Sequence, residues 1–412
     1  MENRRKYYFS LLVIGSMFFA LGFLTWLNSI LMPFLQQLCD LTVFQSSFVP
    51  FAFYIAYFVM AIPSSLVLKK IGYANGMGVG LLIMALGALL FVPAAISRDY
   101  LIFLSGLFTI GIGLCLVQTA VNPYATFIGP IESAARRISI MGISNKVAGM
   151  IGVFVLSGVL FKNSDEILGK LTTITDPLIR EPILQSLSYR IIIPYIIIAI
   201  ILLLLVVFVK MSKLPEIKED SVDTVNNRSI FSYKYLWLGV LAIFFYVGAE
   251  VVSIDYLAHY GMYLGIPSSI ASSLSIYALF ALLIGYFVGV AFTPKYISQR
   301  KAFIIQLILA VLLVFAIIFT SGWISIACVI LLSFAHALMW PTIWPLSIHD
   351  LGSYTKLGSA ILVMAICGGA IISLLYGRLA DVFNPQIAYA ILFLSYTYLL
   401  FFATKGYKMG RK

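Results

Sequence analysis

IIIPYIIIAIILLLLVVFV, residues 191–209, carries no charged side chain from end to end. A helix of ~20 residues crosses the ~30 Å hydrocarbon layer of a bilayer. Lipid offers no partner to a backbone N–H or C=O, so a segment immersed in it is a helix or part of a closed barrel. Barrel strands cross with about 10 residues and alternate polar with apolar. This run is far longer and does not alternate. It reads as a transmembrane helix.

Similar runs occur along the whole chain. Cut at charges and turn residues, they fall at 7–35, 45–68, 73–95, 99–128, 137–161, 190–210, 234–262, 267–293, 299–320, 322–348, 354–377 and 386–405. The fold class is therefore all-α, a polytopic membrane protein with twelve transmembrane helices and short loops. The chain is 62% hydrophobic and 10% charged, whereas soluble domains carry about 25% charged residues. A water-soluble core is excluded, and the lipid bilayer is the first partner. A net charge of +11 in a soluble protein would suggest nucleic acid. Here the charges sit in loops and form no continuous basic face, so nucleic acid is not a partner. Cys39, Cys115, Cys328 and Cys367 lack metal-ligand spacing and read as small core residues. Arg4, Arg5 and Lys6 precede a long first span with no small-residue cleavage site, which reads as a retained first helix.

Twenty of the 27 Lys and Arg fall in segments on the N-terminal side of the bilayer, six on the other side, and one, Lys146, inside a span. Cytoplasmic loops hold the excess of basic residues, so both termini are expected in the cytoplasm. The polar stretch 211–233 follows the sixth span and reads as a cytoplasmic linker. It would join an N-terminal six-helix bundle, 1–210, to a C-terminal one, 234–412. The segment at 162–189 reads as a loop outside the bilayer, with SDEILGKL able to form a short interfacial helix. FFALGFL at 18–24 lies on FFYVGAE at 244–250, and MGISNKVAG at 141–149 on MAICGGAII at 364–372. The offsets, 226 and 223, are close to equal, as parallel repeats of six helices require.

Several blocks are specific: LNSILMPFLQ at 27–36, FAFYIAYFVMAIPSSLVLKKIGY at 51–73, QTAVNPYATFIGP at 118–130, FFYVGAE at 244–250, PTIWPLSIHDLGSYTKLGSAILVMAICGGAII at 341–372 and GRLAD at 377–381. With them the chain resembles the fucose and glucose/galactose permease branch of the major facilitator superfamily. The resemblance covers most of the chain. It implies two six-helix bundles around a central cavity, alternating access by rocking, and a bacterial inner-membrane location. It also implies a monosaccharide substrate, with coupling to protons in some members and to sodium in others. Members of the fucose type have an acidic residue where this chain has Ser29, and another where it has Gln118. Both carboxylates are missing here.

Polar side chains inside spans are costly in lipid, so each is a candidate for function. Sugars ask for hydrogen-bonding groups and flat apolar faces. Asn28 in the first span serves either a helix–helix bond or a solute. Gln118 and Asn122 share one face of the fourth span, and Asn122 precedes Pro123, which should loosen the backbone there. Asn145 and Lys146 interrupt the fifth. Tyr246 stands one turn before Glu250 in the seventh, with Asp255 nearer its far end. His336, Trp340 and Trp344 form one stripe on the tenth, which Pro341 and Pro345 should bend. Such a stripe is either core packing or a stacking surface for a sugar ring.

Substrate binding is thus expected at Asn28, Gln118, Asn122, Asn145, Tyr246, His336, Trp340 and Trp344. Coupling or gating is expected at Lys146, Glu250 and Asp255. Lys146 and Glu250 are each the lone charge of its sign near the middle of its span, in opposite halves, so the reading is a contact between them. No metal ligands, cofactor or catalytic residues are expected beyond a coupling cation, sodium or proton. The function expected is secondary active import of a hexose such as glucose or galactose, by a monomer. A facilitative uniporter, or a carrier of fucose or N-acetylglucosamine, is the nearest alternative. An intramembrane enzyme is disfavoured, because the few buried acids and histidines are scattered over different spans.

Overall fold

The computed structural model describes residues 2–127, 134–167, 176–212, 214, 229–293, 296–349, 351 and 354–410. Among them, twelve helical stretches are long and apolar enough to cross a membrane. In chain order they are α1 Tyr7–Leu38, α2 Val43–Ile71, α3 Tyr73–Ser97, α4 Tyr100–Asn122, α5 Ile140–Leu160 and α6 Pro177–Met211. The second set is α7 Lys234–Asp255, α8 Ser268–Phe292, α9 Gln299–Phe319, α10 Gly322–Ile348, α11 Leu357–Val382 and α12 Pro385–Thr404. They form the two six-helix bundles expected. With twelve crossings both termini lie on one face, here called the terminal face. The other is the distal face. Most of the stretch expected as a linker lies outside the described residues.

One boundary departs from expectation. Residues 177–189 are helical, where a loop was expected, and lead directly into the apolar part of α6. Arg180, Glu181, Pro182 and Arg190 dilute the hydropathy of this stretch. Yet Pro177 sits in the first turn and Asp176 caps the backbone N–H of Leu178, which starts a helix efficiently. Of SDEILGKL, Ser164–Ile167 is helical and the rest lies outside the described residues.

Burial sorts the spans. The central windows of α11 and α7 are 72% and 67% buried, against 28% for α6. So α7 and α11 line the middle, and α6 turns Ile193, Ile197, Ile200 and Leu204 outward as a lipid-facing belt. The pseudo-repeat appears as matched helix contacts. A Cβ on Gly22 of α1 would sit 2.0 Å from the carbonyl oxygen of Asn145 in α5. One on Gly368 of α11 would sit 1.9 Å from that of Phe244 in α7. Only glycine lets these backbones approach so closely.

Three of the spans that carry candidate site residues are interrupted. α1 divides into Glu2–Trp26 and Asn28–Leu38, and Ser29 Oγ donates to the Trp26 carbonyl at 2.8 Å. The helix of α7 ends at Asp255 and resumes as Leu257–Tyr263. In α10 the break lies at Ala337–Leu338, four residues before Pro341, whose missing N–H leaves a carbonyl there unpaired. Gln306 of α9 accepts the Leu338 N–H at 3.0 Å. The expected bend of α10 is thus an interruption. By contrast, the helix carrying α4 runs unbroken from Tyr100 to Phe127, through Asn122 and Pro123.

Candidate functional site

The centre of the molecule is built from side chains that would be expensive to leave alone in lipid. Lys146 Nζ of α5 stands 3.7 Å from Glu250 Oε1 of α7, and each side chain is 11% exposed. The pair joins the two bundles. At that distance it is an ion pair beyond good hydrogen-bond reach, and Glu250 Oε1 has no hydrogen-bond partner. The ammonium also lies 4.3 Å from the centroid of the Trp26 ring, whose negative face adds attraction. Tyr246 and Tyr286 border Glu250.

On the distal side of this pair lie more polar groups. Asp255 is fully buried, and neither carboxylate oxygen has a hydrogen-bond partner. It sits at the C-terminal end of the α7 helix, where the helix dipole offers no compensation to a negative charge. Asn28, 1% exposed, likewise makes no side-chain hydrogen bond. Tyr54 of α2 lies next to Asn28 and within electrostatic range of Glu250 and Asp255. Buried polar groups without partners are rare in folded proteins, and three residues that carry them, Asn28, Glu250 and Asp255, lie where the bundles meet.

The other expected residues divide. Gln118 accepts a hydrogen bond from the Tyr57 hydroxyl at 3.0 Å and stays half-buried. Asn122 is half-buried on the same span. Trp340 and Trp344 stack at 5.3 Å, and Tyr246 lies 6.2 Å from Trp340, giving a half-buried aromatic group on α10 and α7. Two residues are committed to internal bonds in this state. Asn145 accepts from the Trp26 indole N–H at 3.4 Å and donates to the Phe18 carbonyl at 3.3 Å, tying α5 to α1. His336, fully buried, pairs with the Tyr396 hydroxyl at 2.8 Å and contacts Ser253 Oγ at 3.4 Å.

Sequence reading missed Trp26, Tyr54 and Tyr57 as members of the site. Tyr54 and Tyr57 lie one turn apart on α2, and that spacing was the available signal. A recess of about 450 Å³ opens on the distal face, lined by Gln36, Gln37, Val43, His259, Met262, Tyr263 and Pro385. Beneath it Gln36 Nε2 and His259 Nε2 approach to 3.4 Å across the bundles.

Two bundles meeting at a buried, cross-linked polar centre make a membrane transporter. The Major Facilitator Superfamily profile matches residues 14–373, and the chain belongs to that family. It is 32% identical over 412 residues to a glucose/galactose transporter of Brucella abortus, covering 99% of this chain and 96% of that protein. It is 30% identical over 411 residues to the L-fucose-proton symporter of Escherichia coli, covering 95% and 93%. A crystal structure of the transporter FucP in the outward conformation superposes with a TM-score of 0.72 at 30% identity, covering 97% of this chain and 98% of that one. The resemblance expected from the sequence motifs is confirmed.

Proposed function

We propose that this protein imports a monosaccharide, a hexose such as glucose or galactose, by alternating access coupled to a cation. The observation that carries the reading is the Lys146–Glu250 ion pair at the seam of the two bundles. Rocking must make or break any contact that crosses the seam, so a titratable or cation-binding carboxylate there can sense the cycle. The aromatic group Tyr246, Trp340 and Trp344 supplies flat faces for a sugar ring, and Gln118 supplies an amide with its Tyr57 partner. The glucose/galactose transporter named above supports the hexose. The proton symporter among the relatives supports a coupling proton. Because Ser29 and Gln118 stand where fucose-type permeases have acids, we assign coupling to Glu250, with the buried Asp255 further along the same helix.

The excess of Lys and Arg on the terminal face supports cytoplasmic termini in a bacterial inner membrane. On this reading residues 1–210 and 234–412 are the two bundles and 211–233 their linker. Uptake of labelled glucose into proteoliposomes, competed by a sugar panel, tests the function. Galactose should compete strongly. Inhibition by fucose or N-acetylglucosamine alone reassigns the sugar, and indifference to every monosaccharide removes the reading.

Gln118→Ala is expected to weaken sugar binding several-fold. It removes a bond worth ~0.5–1.5 kcal/mol and strands the Tyr57 hydroxyl. Equilibrium binding on correctly folded protein measures the effect, and unchanged affinity takes Gln118 out of the site.

A further inference from the structure

The distal face is closed along two seams, and each is fastened in the same way. At one seam Asp381, at the distal end of α11, accepts the backbone N–H of Val43 through Oδ1 at 2.9 Å and that of Phe44 through Oδ2 at 3.0 Å. These two residues begin α2, in the opposite bundle. At the other seam Asp165, just past α5, accepts the N–H and the hydroxyl of Ser268 through Oδ1, both at 2.7 Å. Its Oδ2 accepts the Ser269 hydroxyl, and the Ser269 N–H lies 3.4 Å from Oδ1. These serines begin α8, again in the opposite bundle.

The helix starts that the two carboxylates cap are related by the internal repeat; the carboxylates themselves are 216 apart and are not repeat mates. Positions 43 and 268 differ by 225, within the range of offsets that aligns the halves. Asp381 lies at the end of α11, and Asp165 lies five residues past the end of α5. Both follow one chemical logic. The first N–H groups of a helix have no partner inside it, and a carboxylate there makes charge-assisted bonds with a favourable dipole. The α2 helix has Thr42 to cap the Gln45 N–H, which leaves Val43 and Phe44 to Asp381. The α8 helix begins after Pro267 with no capping side chain of its own, so its cap comes across the seam. Burial opposes ionisation of Asp165, but the bonds from Ser269 and Ser268 outweigh it and hold its carboxyl below the usual carboxylate range. Ser157–Ser272 and Ser164–Ser268 contacts, each 2.7 Å, line the same seam.

We propose that Asp165 and Asp381 are paired latches that hold the distal gate shut, each capping a span of the opposite bundle. They are positioning residues: they touch no solute, and they set how often the distal face opens. The inference goes beyond the proposed function and does not depend on which solute is carried. Opening must release both caps into water, so the gate swings only when both let go.

The test is a distance measurement by pulsed electron paramagnetic resonance on the full chain in lipid nanodiscs, without sugar. Spin labels go on Ile96→Cys and Phe383→Cys, exposed positions of opposite bundles at the distal end, in a background with the native cysteines replaced. The latched protein should give a dominant short distance. Asp165→Asn and Asp381→Asn should each raise a longer-distance population about tenfold, a modest shift in a two-state equilibrium. The double variant should be mostly long. Asn is apt because it keeps the shape but offers one acceptor oxygen and no charge. Ser268→Ala with Ser269→Ala, which spares both carboxylates, should move the distribution the same way but less. An unchanged distribution in the double Asp variant overturns the proposal. If that variant does not purify as a monodisperse protein, an unchanged distribution in the serine variant does so instead. Apparent glucose affinity, tighter from the distal side in the Asn variants, is a second readout that rests on the proposed function. The distances stand without it.

Discussion

Glu250→Gln is expected to abolish accumulation of glucose against its gradient while leaving sugar exchange down a gradient intact. Glutamine keeps the shape of the side chain and removes the charge that faces Lys146 at 3.7 Å. The lysine is then left in the seam, against the Trp26 ring but without a counter-charge from Glu250. Removing one partner of a buried pair costs ~3–5 kcal/mol, so the single variant is also expected to melt earlier. Lys146→Met with Glu250→Gln separates the two effects, since it removes the stranded charge. It should recover stability without recovering accumulation. Lys146→Ala alone should change the ion dependence of uptake. Should Glu250→Gln still concentrate glucose with ordinary ion dependence, the carboxylate has no part in coupling.

A second large effect is expected on folding. Gly22→Ala and Gly368→Ala each place a methyl about 2 Å from a backbone oxygen of the neighbouring span. Overpacking a core costs ~1–3 kcal/mol where side chains can shift. Here the obstacle is main chain, so the cost belongs at the upper end. Against a total of ~5–15 kcal/mol for a folded protein, either change should lower the melting temperature in detergent clearly. Gly78→Ala and Gly158→Ala, with nothing within 4 Å of the added carbon, are the controls. If all four variants melt alike, the close crossings of α1 with α5 and α7 with α11 are not what holds the bundles.

Much of the architecture was open to sequence reading because lipid imposes a harsh rule. An uncharged run such as 191–209 has few alternatives. Where polar residues intrude, the rule loses force, and the helix at Pro177–Tyr189 went unseen although its cap and its proline were in plain order. The breaks at Leu27 and Tyr256 carry no proline of their own, and the reading ran straight through them. In the site, Lys146 and Glu250 stood out because each is the lone charge of its sign near the middle of its span. Their partners did not, since a hydrogen bond depends on which helix arrives alongside. Asn145 and Gln118 look alike in the sequence, and their bonds, to Trp26 and Phe18 in one case and to Tyr57 in the other, depend on which helices arrive alongside. Asp165 and Asp381 were invisible for the opposite reason. Exposed carboxylates at span ends resemble any solvated loop charge until the facing helix ends are known.

The interruptions at Leu27 and Tyr256 have a kinetic consequence. Each gives the distal tip of its span, Asn28–Leu38 or Leu257–Tyr263, a joint of its own. Gln36 and His259, which meet across the seam, ride on these tips. The tips can therefore fold over a bound solute before the bundles rotate, and lift off after it. On the proposed alternating-access cycle, transport would then work as an airlock, with a sealed interval between the two openings. A carrier with such an interval keeps an ion gradient from leaking away through its own cycle.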